Sequence, residues 1–158
     1  MSTYKKFGLL ILLSLLTMGV FAQELVRVSN NINEVRVIEE DNNGLLLNVE
    51  IGSYVKNDVS INGKTYYSIT NDEGSLIYEK GYPDLPKITK SIAIPNNRGV
   101  KVSVVSFKLQ DYKMEVAPSK GILDRTVNPN NVPYEFAKVY STDEFYPKSY
   151  YSLGEPYL

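Results

Sequence analysis

"DVSINGKTYYSI", Asp58–Ile69, is the stretch that decides the fold class. Asn62-Gly63 offers the two positive-φ positions of a type I′ turn, and β-formers flank it on both sides. The stretch reads as a hairpin of Val59–Ile61 with Lys64–Ile69. Upstream, "EVRVIEE" (34–40) alternates, with Val35 and Val37 on one face and Glu39 next in phase. "DNNG" (41–44) turns the chain, and "LLLNVEI" (45–51) then puts Leu45, Leu47, Val49 and Ile51 on one face. Period two sustained over such runs is the mark of a half-buried strand. Downstream, "NDEG" (71–74) turns the chain again before a short strand in "SLIYEKG" (75–81).

Next comes "YPDLPKITKSIAIP" (82–95), with three prolines on the approach to what reads as a strand. Proline is confined to edges and ends of sheets. Pro83 and Pro86 hold the approach extended, because the residue before each is pushed away from helix. They precede "KITKSIAI", so the ladder keeps its donors, and Pro95 closes the strand ahead of an "NNRG" turn. Leu85, Ile92 and Ile94 are the expected core residues here. In "VKVSVVSFKLQ" (100–110) the apolar parity passes from Val100, Val102 and Val104 to Val105, Phe107 and Leu109. A one-residue phase switch predicts a β-bulge near Val104–Ser106. "YKMEVAP" (112–118) is a further strand. Beyond it "NPNNVPYEF" is loop-like, "VPYEFAKVY" has room for one helical turn, and the tail has no period. Short strands divided by Asn/Gly turns predict an all-β, antiparallel sandwich or jelly roll.

The first 22 residues stand apart. Lys5 and Lys6 precede an uncharged run, Phe7 to Ala22, that ends on small or compact residues. This is the pattern of a cleaved signal peptide, residues 1–22, with Gln23 as the new N-terminus. The run is short of the roughly 20 residues a spanning helix needs, and no basic stop-transfer cluster follows, so no membrane anchor is expected. Loss of Lys5 and Lys6 reduces 17 basic residues to 15 against 18 acidic ones, a net charge of −3. There is no basic stripe for nucleic acid. The chain has no cysteine and no histidine. That excludes a disulfide framework, a Ser-His-Asp triad, a Cys-His dyad and an ordinary zinc site. Neither catalysis by this chain nor a cofactor is expected.

Several residue groups invite a site reading that plainer physics also covers. "DNNG", "NDEG" and "NPNN" have calcium-type oxygens but not the spacing of a calcium loop, and Asn, Asp and Gly make turns for backbone reasons. Glu39, Glu40 and Asp41 end a strand, where solvated charge is ordinary. Thirteen tyrosines, among them Tyr140, Tyr146, Tyr150, Tyr151 and Tyr157 in the tail, suit a glycan-binding module or simply cover core edges. Arg98 in "PNNRG" and Arg125 in "GILDRTVNP" are basic residues on turn or irregular segments, accessible to a protease.

"GYPDLPKITKSIAIPNNRGVKVSV" (81–104) resembles the N-terminal propeptide of the gingipain-type cysteine peptidases, the C25 family. The residues that carry the resemblance are Gly81, Pro83, Leu85 and Pro86, then Ile92, Ile94 and Pro95, then Val100, Val102 and Val104. The tail "YPKSYYSLGEPYL" (146–158) is also similar to the family. The resemblance implies a β-sandwich prodomain over residues 23–158, continuing past Leu158 in a longer precursor. It implies that this prodomain keeps a C-terminal cysteine peptidase of the same precursor latent and assists its folding. It also implies export through the periplasm by a type IX system of the Bacteroidetes, to the cell surface or beyond. In the family a basic loop residue enters the enzyme's specificity pocket like a substrate. Arg98 and Arg125 are both candidates for that role or for a cleavage site, and the motif residues belong to the scaffold. The alternative from another class is a secreted β-sandwich binding module for surface glycans or adhesion.

Overall fold

A computed structural model of the chain describes residues 23–93 and 99–154. The signal-peptide segment 1–22, and with it the leader's cleavage, lies outside the described residues. So do Ile94, Pro95 and Arg98, the "NNRG" turn before Gly99, and the last four residues with Tyr157.

The hairpin forms as its sequence demands. Strand β4 (Ser53–Ile61) pairs antiparallel with β5 (Lys64–Thr70), and Ile61 faces Lys64 across the turn. Asn62 and Gly63 both adopt positive φ, 53° and 80°. The ladder runs further than the sequence pattern indicated, back to Val55 opposite Thr70. Strand β1 (Gln23–Arg27) adds to the other edge of β4, giving a three-stranded sheet in the order β1-β4-β5.

β2 (Glu34–Glu40) and β3 (Leu45–Glu50) form a second antiparallel pair, with Val35 opposite Val49 and Val37 opposite Leu47. The register shifts between Val37 and Glu39, so Ile38 is the bulged residue. The "DNNG" turn closes on its own aspartate. Asp41 Oδ1 accepts the N–H groups of Asn43 (2.7 Å) and Gly44 (2.8 Å), and these bonds hold the Asp41 pKa below its ordinary value. The carboxylate is thus occupied by the turn itself.

β6 (Ser75–Leu76) and β7 (Pro86–Lys87) make a two-residue ladder. Here the prolines behave differently from expectation. Pro86 sits inside the ladder, opposite Leu76, and residues 88–93 carry no strand. A two-stranded edge ladder has a free side on which the missing N–H costs nothing. Leu85 is half-buried, but Ile92 is 50% exposed and is not a core residue.

The strand expected over 100–110, with its bulge near Val104–Ser106, is also absent. The segment carries no ladder, and Val105 is 78% exposed. Alternation records which side chains share a face; a strand exists only where a neighbour supplies N–H and C=O partners. Among the described residues, aromatic contacts from the tail hold it instead. Tyr151 Oη donates to the Val102 carbonyl (3.1 Å), and the rings of Phe107 and Tyr150 lie 5.4 Å apart.

The packed centre is "EVAPS", Glu115–Ser119, threaded between β5 and the Gly81–Asp84 segment. On one side Tyr67 N–H donates to Glu115 O and Ala117 N–H donates to Tyr67 O, both at 2.8 Å. On the other side Ser119 N–H donates to Tyr82 O (2.7 Å), Gly81 N–H to Ser119 O (2.9 Å) and Asp84 N–H to Ala117 O (3.0 Å). Gly81, Ala117, Pro118 and Ser119, all buried, meet here. The two short 3-10 turns, Pro129–Asn131 and Lys138–Tyr140, are the helical elements among the described residues, and the second falls where one helical turn was expected. The class is all-β with antiparallel sheets.

Candidate functional site

The loop that leaves this centre carries Arg125. It starts at Lys120, directly after buried Ser119, and returns at Tyr134. Its base is closed by Lys120, whose Nζ donates to the Pro129 carbonyl at 2.7 Å and lies 4.2 Å from the centroid of the Tyr134 ring. That places a cation on an aromatic face and a hydrogen bond across nine residues of chain. Gly121 N–H donates to the Ser119 hydroxyl (3.2 Å), which fixes the departing strand.

Two Asx closures shape the loop between these points. Asp124 Oδ1 accepts from the Thr126 N–H (2.8 Å) and the Thr126 hydroxyl (2.7 Å), while Val127 N–H donates to the Asp124 carbonyl (3.0 Å). Arg125 and Thr126 are therefore the two central residues of a hydrogen-bonded turn. Two residues on, Asn128 Oδ1 accepts from Asn130 N–H (2.9 Å) and caps the 3-10 turn begun by Pro129. Short polar side chains that bond the backbone two residues ahead give rigid turns without a ladder.

Arg125 is exposed and, among the described residues, forms no ion pair. Ile122, three residues before it, is 88% exposed. Asp124 is charged, since its bonds to Thr126 hold its pKa below the ordinary value. The loop thus exposes both a basic side chain and an isoleucine to solvent.

Beneath the loop lies a cavity of about 250 Å³, lined by Tyr78, Asp84, Ser119, Leu123, Pro129 and Tyr134 among others. Burial raises the Asp84 pKa, opposed by the Ser119 hydroxyl and the Tyr78 N–H, and Asp84 Oδ1 has no hydrogen-bond partner. Tyr78 delivers that N–H from a positive φ of 59°, a strained conformation for a non-glycine residue.

The tail tyrosines are largely used inside the chain. Tyr140 Oη donates to the Val116 carbonyl (2.8 Å), and Tyr146 Oη donates to Glu79 Oε2 (3.0 Å) while its ring lies 4.9 Å from that of Tyr82. Burial, the leading cause in both, raises the pKa of each phenol well above its ordinary value. Tyr150, 75% exposed, has its ring 5.4 Å from that of Phe107, and Tyr151 donates to the Val102 carbonyl.

Of the two basic candidates, then, Arg125 is on the braced loop, and Arg98 is outside the described residues. Gly81, Pro83, Leu85 and Pro86 lie around the packed centre, away from the loop tip. The Asx bracing was readable in "LDRT" and "NPN" as Asp-x-Thr and Asn-x-Asn spacings, a local signal the irregular periodicity concealed.

The family model Propeptide_C25 matches residues 26–158. Gingipain R2 of Porphyromonas gingivalis is 40% identical over 90 residues, 56% of this chain and 12% of that protein. Gingipain R1 of the same organism is 39% identical over 90 residues, 56% of this chain and 9% of that protein. The chain thus spans a small fraction of the curated relatives it matches. A solved structure, the complex of Porphyromonas gingivalis RgpB pro- and mature domains, superposes with a TM-score of 0.73 at 30% identity, over 78% of this chain and 65% of that one. Its match extends the all-β class to a gingipain prodomain. The chain belongs to the C25 propeptide family, a non-catalytic propeptide and not itself a peptidase.

Proposed function

We propose that this propeptide keeps a cysteine peptidase of its own precursor latent, with Arg125 occupying the enzyme's specificity pocket, and that it assists the folding of that peptidase. The observation that carries the choice of residue is the braced loop: an exposed Arg125, without an ion pair among the described residues, held between Asp124 and Thr126 over a base closed by Lys120. A preordered loop loses little conformational entropy on docking, which favours tight occlusion of a cleft. The solved complex of RgpB pro- and mature domains supports a peptidase domain as the partner. An occluding contact of this kind is of standard size, about 1,600 Å² in total. The leader read over residues 1–22 supports secretion; passage through the periplasm by a type IX route, ending at the cell surface or outside, is part of the same proposal.

The test is Arg125→Ala in the full precursor, assayed on a small arginyl substrate before processing. Truncating one partner of a buried charge pair costs about 2–5 kcal/mol, so the apparent inhibition constant rises by roughly thirtyfold or more. A variant precursor as silent as the wild type overturns the role of Arg125. If the isolated Arg125→Ala chain also silences the mature peptidase in trans, occlusion by another loop stands in its place.

A further inference from the structure

We propose that the Lys108–Leu109 bond is a processing site, at which a peptidase that accepts lysine opens this propeptide. The proposal does not rest on the role of Arg125. The step is a plain hydrolysis: the Lys108 carbonyl carbon gains the hydroxyl of water, the C–N bond to Leu109 breaks, and the Leu109 nitrogen takes the proton. A peptidase needs a stretch that can lie extended in its cleft, like an added strand, with alternate side chains in its pockets. Chain already engaged in a ladder or a closed turn must open first, and opening costs its hydrogen bonds. Residues 103–113 are free of that cost. All of them are exposed, and among the described residues their backbone makes no hydrogen bond. Val105, Phe107 and Leu109 are 78%, 61% and 66% exposed, so little packing has to be broken. Laid extended, the run sends these three to one side and Ser106, Lys108 and Gln110 to the other, which puts Lys108 toward a pocket between two uncharged polar neighbours. The Phe107 ring on Tyr150 and the Tyr112 ring on Tyr54, 5.6 Å apart, tether the run on either side of the bond.

Other lysines among the described residues are less open to attack. Lys56, Lys64 and Lys87 lie in ladders. Lys80 Nζ is held by Glu135 (2.7 Å) and Lys90 Nζ by Glu73 (3.5 Å), while Lys120 Nζ is spent on the Pro129 carbonyl. The Lys138 carbonyl, which attack would have to reach, accepts the Ser141 N–H (2.9 Å) and the hydroxyls of Ser141 (3.0 Å) and Thr142 (3.1 Å). Lys148 runs into a closed turn, where Ser149 Oγ donates to the Tyr151 carbonyl (2.8 Å) and accepts the Tyr151 N–H (3.3 Å). Lys101 and Lys113 border the open run, but each has a fixed neighbour. The Val102 carbonyl is pinned by the Tyr151 hydroxyl at 3.1 Å. Two residues past Lys113, the Glu115 carbonyl accepts the Tyr67 N–H at 2.8 Å and its carboxylate pairs with Lys64, so a cleft reaching beyond Lys113 meets the packed centre. Lys108 has open chain on both sides and, among the described residues, no ion pair.

The test is brief digestion of the full chain with an endoproteinase that cuts only after lysine, with the fragments weighed by mass spectrometry. The first scission is expected at Lys108, roughly tenfold or more ahead of Lys56 and Lys64, whose ladders must give up hydrogen bonds before a cleft can take them. Lys108→Gln should abolish the early cut and leave the rates at the other lysines as they were. Lys108→Arg should abolish it for the lysine-only enzyme and restore it with trypsin, which accepts both side chains. That exchange ties the cut to the bond and not to a change of fold. A first cut at Lys101, Lys113 or Lys148 overturns the proposal, and so do equal rates at Lys108 and Lys64 in the wild type. Arg125→Ala should leave the Lys108 rate unchanged, so the loss of either reading leaves the other standing.

Discussion

Gly81 stands at φ 83°, with its N–H on Ser119 O and its carbonyl taken by Ala137 N–H at 2.8 Å. A Cβ there would lie 3.4 Å from the Ala137 nitrogen, so a side chain meets both an unfavourable dihedral and a tight neighbour. Gly81→Ala is expected to lower stability by about 1–2 kcal/mol, read as a lower urea midpoint. Asp84 gives a pH signature. Burial raises its pKa above the ordinary 3.8, so the folded chain holds the proton more tightly than the unfolded one. Its contribution is full below that ordinary value and is lost as pH rises through the raised one. Asp84→Asn should therefore unfold at a higher urea concentration than wild type at pH 7, and the gap should close by pH 3; a gap of the same size at both pH values would rule this out. The glycine and the aspartate were both visible in "GYPD", but the partners that give them meaning, Ser119 and Ala137, lie far along the chain. The sequence marked Gly81 as a motif residue and gave no sign of Asp84, and only the fold showed what either touches.

The elements divide along the same line. The β4–β5 hairpin was legible because its cause is local: Asn62-Gly63 adopts positive φ whatever surrounds it. The same cause makes it sensitive. Gly63→Ala places a Cβ at φ 80° and should cost about 1 kcal/mol, seen as a fall in melting temperature of a few degrees. The β2–β3 pair was legible in register up to Val37, and the bulge at Ile38 falls where the adjacent apolar pair Val37-Ile38 breaks the alternation of "EVRVIEE". Residues 100–110 mark the limit of periodicity, which cannot name a partner strand. Residues 112–118 read as a strand, but Val116, Pro118 and Ser119 pair there only as isolated bridges. Ala117, Pro118 and Ser119 are nonetheless the most buried run, because small residues let backbone approach from two sides. The loop at Arg125 was placed correctly as irregular chain, and its order came from Asp124 and Asn128, whose bonds leave no mark on hydrophobic pattern.

As a whole molecule the described chain is thinly cored. Ile61 and Ala117 are the buried hydrophobic residues named above, whereas Val105, Phe107, Leu109 and Ile122 are exposed. An exposed apolar segment with unpaired backbone is a template for self-association. Apart from a peptidase, the chain should therefore form oligomers at micromolar concentration, and Val105→Lys with Leu109→Glu should shift it toward monomer in light scattering. Unchanged mass in the double variant would place the contact elsewhere.

The bonds that cross the packed centre also bear on what happens after the loop is cut. Every fragment boundary at Arg125 would separate Gly81, Glu79 and Val116 from Ala137, Tyr146 and Tyr140, yet these are bonded pairs in the folded chain. A nick at the tip therefore parts the polypeptide without parting the particle. Two bands on a denaturing gel would travel as one peak on a sizing column. Under the proposed occlusion, activation would then be a two-step clock, in which the first cut disarms the loop and a later loss of the Tyr140 and Tyr146 tethers lets the pieces diffuse away.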